Sequence, residues 1–136
     1  MKKALIGLII LFIVIQFFSD RKTNPPVKAD IDAPAEVKAI FQRACYDCHS
    51  NKTKWPWYAS IAPVSWLITN DVDKGREHFN FSNWENLSRK DKAKLREKIW
   101  ETIVKEEMPL WRYKLLHAEA KLTQNEKNLI KDWAGE

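Results

Sequence analysis

Residues 34–51 read PAEVKAIFQRACYDCHSN, and the rest of the chain is best understood outward from this stretch. Pro34 suits a first helical position, and Val37, Ile40, Phe41 and Ala44 recur at helical spacing, which predicts an amphipathic helix over 34 to about 46. At its end stands the pentapeptide Cys45-Tyr46-Asp47-Cys48-His49. Two thiols three positions apart share one face of a helical turn, from which they can add to two vinyl groups on one porphyrin edge. The next residue is then carried under the iron. CxxCH is the attachment signature of c-type haem, and chance produces it on the order of once in a thousand chains of this length. Cys45 and Cys48 are therefore expected to form covalent thioethers, with His49 as the proximal iron ligand.

The two cysteines admit other readings. One is a short-loop disulfide or a thioredoxin-like redox pair, but such a pair belongs at a strand-to-helix junction, and here the motif follows a helix. Another is a zinc site joining Cys45 and Cys48 to His78 and His117, which are 39 residues apart rather than closely spaced. A second axial ligand is needed for a six-coordinate haem, and beyond Met1 the one methionine is Met108, just before Pro109. A thioether on a proline-stiffened loop suits an electron carrier, because Met/His ligation raises the potential. The plain alternative is that Met108 fills the core; His117 and His78 rank behind it as distal ligands.

Downstream, a second helix is expected from Pro63 to about Lys74 with Trp66, Leu67 and Val72 inward and Gly75 as its stop. A third follows Ser88 and Asp91, which resemble a capping box, with Leu95, Ile99, Trp100, Ile103 and Val104 as its apolar stripe ending before Pro109. A fourth begins at Thr123, boxed by Glu126, and buries Leu129, Ile130 and Trp133. No stretch alternates strictly, so the domain is read as all-α. Trp55, Trp57, Tyr58 and Trp66 cluster after the motif and are candidates for the walls of a haem pocket. Arg76 and Lys54 are candidate partners for the propionates.

At 45% hydrophobic and 30% charged residues, with 3 Gly and 6 Pro among 136, the composition excludes a disordered or fibrous chain. The formal charge of +5 does not imply nucleic acid. Lys2, Lys3, Arg21, Lys22 and Lys28 precede Asp30 against the single acid Asp20, and the remainder balances at 18 against 17. Ala4 to Phe18 form an apolar run broken by Gly7 and Gln16 behind a basic start. It reads as an export signal, and with no small-residue cleavage site directly after it, as an uncleaved anchor. The positive-inside bias of Lys2 and Lys3 places the domain across a bacterial cell membrane, on the periplasmic side. The expected organisation is a signal anchor or signal peptide over 1–19, a polar, proline-containing linker over 20–33, and a haem-binding domain over 34–136.

A larger set of segments carries a family resemblance. It comprises Cys45 to Asn51, Trp55-Pro56-Trp57-Tyr58, Ile61 to Leu67, Asp71-Val72 with Gly75-Arg76, and Asn80-Phe81-Ser82 with Trp84. It continues through Met108-Pro109, Tyr113, His117, and Leu122-Thr123 to Trp133. Together these resemble the bacterial haem-binding domain proteins with a short anchor and a single CxxCHSN motif. The resemblance implies one c-type haem held by Cys45, Cys48 and His49 in a small cytochrome c-like domain of about four helices, and says little about a redox partner. The reading that follows is a membrane-tethered monohaem cytochrome passing single electrons, more an electron carrier than an enzyme. The alternative is a haem enzyme or gas sensor with peroxidase-like or ligand-binding chemistry at an open distal site.

Overall fold

The computed structural model describes residues 1–18 and 22–135. The expected boundaries at 19, 20 and 136 fall outside the described residues. The N-terminal apolar run forms α1 (Lys2–Ile15), which continues into a 3-10 turn, Gln16–Phe18. None of its residues is buried. Among the described residues, no helix is long and apolar enough to cross a membrane.

Residues 22–33, the described part of the expected linker, lie strapped along the domain. The Lys28 and Ala29 amides both donate to Ser82 O at 3.0 Å, Ile31 N donates to Phe81 O at 3.0 Å, and Glu85 N donates to Ala29 O at 3.1 Å. Ile31 is fully buried. The backbone groups of this stretch thus find their partners in the segment Phe81–Asn86.

Asp30 secures the strap by accepting from Lys52 Nζ at 2.7 Å and from Tyr46 OH at 3.0 Å. Burial opposes its ionisation, but the hydrogen bonds from Lys52 and Tyr46 and the charges of Lys52 and Lys38 outweigh burial and hold its pKa below the ordinary 3.8. A carboxylate whose folded pKa is depressed contributes stability that is present above its unfolded pKa and lost as pH falls through the folded value. Asp30→Asn is therefore expected to cost up to about 1 kcal/mol at neutral pH. Urea unfolding should show the difference closing as the pH falls below 3.8; a gap that persists in acid would assign the loss to packing.

Pro34 caps α2 (Ala35–Ala44) rather than opening it, and Val37, Ile40, Phe41 and Ala44 are buried as their spacing predicts. The helix does not run through the motif. Cys45, at φ −127° and ψ −32°, breaks it, and a separate turn, α3 (Tyr46–His49), follows. After a 3-10 turn, Trp57–Ser60, α4 spans Val64–His78 and passes through Gly75, the expected stop. Its buried face is Ser65, Thr69, Val72 and Gly75; Trp66 and Leu67, expected inward, are exposed. Small and polar residues at this face allow a closer approach than the apolar pair would.

A 3-10 segment, Phe81–Asn86, leads to α5 (Arg89–Val104), where Ser88 Oγ accepts from Asp91 N at 3.1 Å. Ile99 and Ile103 are buried and Leu95 and Trp100 pack against the core, while Val104 falls off the stripe and is exposed. A short helix that was not predicted, α6 (Trp111–Leu116), follows Pro109. Finally α7 (Gln124–Ala134) opens with both hydrogen bonds of the Thr123–Glu126 capping box and closes at Gly135, whose φ of 87° suits glycine. α7 packs on α2 and α5. Between them Phe41 stacks on Phe81 at 4.8 Å and meets Trp133 edge-on at 4.9 Å. The described residues hold no strand, in agreement with the all-α expectation.

Candidate functional site

A cleft of about 670 Å³ opens beside this core, lined by the CxxCH turn, α4, α5 and the segment from Met108 to Tyr113. Its volume lies within the roughly 300–1,000 Å³ of sites that take organic ligands and cofactors. Cys45, Cys48, His49, Gly75, His78 and Met108 all line it, between walls that include Leu67, Phe79, Ile99 and Leu122.

The motif turn is drawn tight by Cys45 O, which accepts from Cys48 N at 3.2 Å and from His49 N at 2.9 Å. It is also pressed onto α4. A Cβ added at Gly75 would stand 2.4 Å from Cys48 O and 2.9 Å from Cys48 C. That contact, not helix termination, is what requires glycine there. Both cysteines are free thiols. Burial pushes each up to about 12, reinforced at Cys45 by Cys48 and at Cys48 by the charges of Asp71 and Asp47. They are thus neutral and unavailable as easy thiolate nucleophiles.

His49 is held by the core itself. Its ring stacks on Phe79 at 4.1 Å and an interplanar angle of 10°, Phe79 meets Phe81 at 5.1 Å, and Phe81 stacks on Phe41. Burial lowers the imidazole to about 4 against weaker support from the Phe79 and Gly75 backbones, so it is neutral at physiological pH. His49 Nδ1 lies 3.4 Å from Phe79 O. A carbonyl only accepts, so this contact favours the proton on Nδ1 and leaves a lone pair on Nε2, the arrangement a metal ligand needs.

Met108 reaches the same cleft from 60 residues away in sequence. α5 ends with Glu106 at φ 58°. Glu106 N donates to Ile103 O at 3.1 Å and Glu107 N to Thr102 O at 2.9 Å, the paired bonds of a Schellman stop. Thr102 O also accepts from Met108 N at 3.2 Å, so the chain turns at once toward the cleft. α6 is then latched across it. Arg112 Nε and Nη2 donate to the two oxygens of Asp71 at 3.0 and 2.6 Å, and Tyr113 OH donates to Asp47 Oδ2 at 2.7 Å. Tyr113→Phe should cost about 1 kcal/mol and free the latch. Amide exchange across 108–116 is expected to quicken while α7 is unchanged, and equal exchange in both proteins would show that the bond holds nothing.

Trp55, Trp57, Tyr58 and Trp66 do not line the cleft. The turn Trp57–Ser60 packs against α4, and its neighbourhood is occupied otherwise. Trp55 Nε1 donates to Asn24 Oδ1 at 3.2 Å, Trp66 Nε1 donates to Phe18 O at 2.7 Å, Tyr58 OH meets His117 Nε2 at 3.1 Å, and Trp57 is 77% exposed. The rings that do line the cleft are Phe79, Phe81 and Tyr113, which no helical period marks.

Arg76 is spent on the strap, donating to Ser50 O, Thr23 O, Asn24 Oδ1 and Thr53 Oγ1. Lys54 is exposed and does not line the cleft. His117 is bound to Tyr58 and, through Nδ1, to Glu119. Among the described residues no three His, Cys, Asp or Glu side chains gather as metal ligands, and His117 does not line the cleft with Cys45, Cys48 and His78. The absence of strands among the described residues removes the thioredoxin-like junction.

In this all-helical domain an apolar-walled cleft gathers two neutral thiols, an oriented imidazole and a thioether. The chain belongs to the haem-binding domain family, whose model matches residues 10–136. No curated protein and no solved structure matches it. The residues present fit haem. Cys45, Cys48, His49 and the loop bearing Met108 border one apolar-walled space.

Proposed function

We propose that the protein is a membrane-tethered monohaem c-type cytochrome that passes single electrons on the periplasmic side. The observation that carries this reading is the convergence of Cys45, Cys48, His49 and Met108 on one cleft from elements distant in sequence. When bound, the haem supplies a one-electron ferric–ferrous couple. Cys45 and Cys48 would anchor it through thioethers, and His49 and Met108 would hold its iron, with Phe79 fixing the His49 ring. The Arg112–Asp71 pair and the Tyr113–Asp47 bond hold the Met108 side closed. No residue has to act as a general acid or base.

The wholly unburied α1 and the basic Lys2 and Lys3 support an N-terminal anchor with its start in the cytoplasm. The test is a potentiometric titration of the purified, haem-loaded chain with carbon monoxide added to the reduced form. A reversible single-electron wave and no gas binding is the expected result. Ready carbon monoxide binding with turnover of peroxide would favour the haem enzyme or gas sensor instead.

A further inference from the structure

Gln16 interrupts the apolar N-terminal run, and electron transfer gives it no role. In the structure its carboxamide pairs with the Ala62 backbone in both directions, Oε1 accepting from Ala62 N at 2.9 Å and Nε2 donating to Ala62 O at 3.1 Å. Two residues on, Phe18 O accepts from Trp66 Nε1 at 2.7 Å. The end of α1 is thus fastened to the start of α4, and the family match, which begins at residue 10, spans both segments. Phe17, Phe18, Val64 and Trp66 adjoin it along the chain and the turn Trp57–Ser60 packs on α4; Phe17, Phe18, Trp57, Val64 and Trp66 are exposed by 83, 69, 77, 42 and 36%.

The occupant of this face follows from what adjoins it. α1 has 14 residues, none of them buried, and is about 21 Å long against a hydrocarbon core of about 30 Å. A rod that short, inserted in a bilayer, brings whatever is fastened to its end down to the headgroups. Tryptophans and phenylalanines gathered at that end have the chemistry of an interfacial belt, in which apolar rings sink and indole N–H groups stay near polar partners.

We propose that the face formed by Phe17, Phe18, Trp57, Val64 and Trp66 rests in the headgroup region of a lipid bilayer and seats the domain on the membrane in one orientation. The proposal rests on the membrane-tethered reading above. Its consequence is that α4, which starts in this face, also carries the cleft residues Leu67, Asp71 and Gly75. The seating therefore fixes where the cleft stands relative to the bilayer.

The experiment uses the full haem-loaded chain in vesicles of zwitterionic and anionic phospholipid. The vesicles contain a lipid with a photoactivated diazirine just below its headgroup, and the labelled residues are located by mass spectrometry. Label is expected on α1 and on Trp57, Val64 and Trp66, with little on Val104, an apolar side chain of α5 that is 54% exposed. Gln16→Leu should keep the α1 label and lose most of that on Trp57 and Trp66. Label on α1 with Trp66 no more marked than Val104 overturns the seating and leaves the tether standing. A chain that does not float with the vesicles and takes no label on α1 overturns both.

Discussion

Gly75→Ala is expected to destabilise the domain by about 3 kcal/mol, near the upper end of the usual cost of overpacking, and to cut haem incorporation several-fold. The added methyl meets Cys48 O at 2.4 Å and Cys48 C at 2.9 Å. Both are backbone atoms, so no rotamer change relieves the contact. Either α4 or the CxxCH turn has to move, and the turn that moves is the one holding both thiols and His49. Gly7→Ala is the control, because nothing lies within 4 Å of a Cβ there. Denaturant unfolding and the haem-to-protein ratio of the two variants check the claim. A Gly75→Ala protein as stable and as fully loaded as the parent would show that the turn and α4 are not in the contact described.

Met108→Ala should lower the reduction potential by on the order of 0.1–0.3 V, within the range over which axial ligands tune haem, and open the iron to carbon monoxide. Thr102 O pins the Met108 backbone and the α6 latch holds the following residues, so removing the side chain empties its place without moving the loop. His78→Ala is the comparison, since His78 lines the same cleft. If potential and spectrum move with His78 and not with Met108, the distal ligand is the histidine, and Met108 is packing.

The chemistry of the site is legible in the sequence where it is local. Cys45, Cys48 and His49 lie within five residues, and Met108 is noticeable because methionine is scarce. The helices α5 and α7 are legible because Ser88 and Thr123 announce them and their apolar stripes repeat. What sequence reasoning misses depends on partners distant along the chain. Gly75 reads as a helix stop because glycine usually is one, and the carbonyl that requires it belongs to Cys48. The stretch 20–33 reads as a linker because the polar atoms of its residues 24–31 bond to Ser82, Phe81 and Thr53 rather than to one another. The tryptophans after the motif look like cofactor walls by nearness in sequence, whereas Phe79 and Phe81 reach the cleft through the stack on Phe41. α6 left a faint signal in Trp111 and Leu115, spaced four apart after a proline.

The central claim is that Cys45 and Cys48 hold a haem covalently. The most direct measurement is to express the chain with the c-type haem maturation system, extract it with acidified acetone, and record the reduced pyridine spectrum of what stays on the protein. Haem that is retained, with the spectral position of two saturated vinyl groups, is the expected result. Haem that washes out completely, or that never binds, would contradict the account.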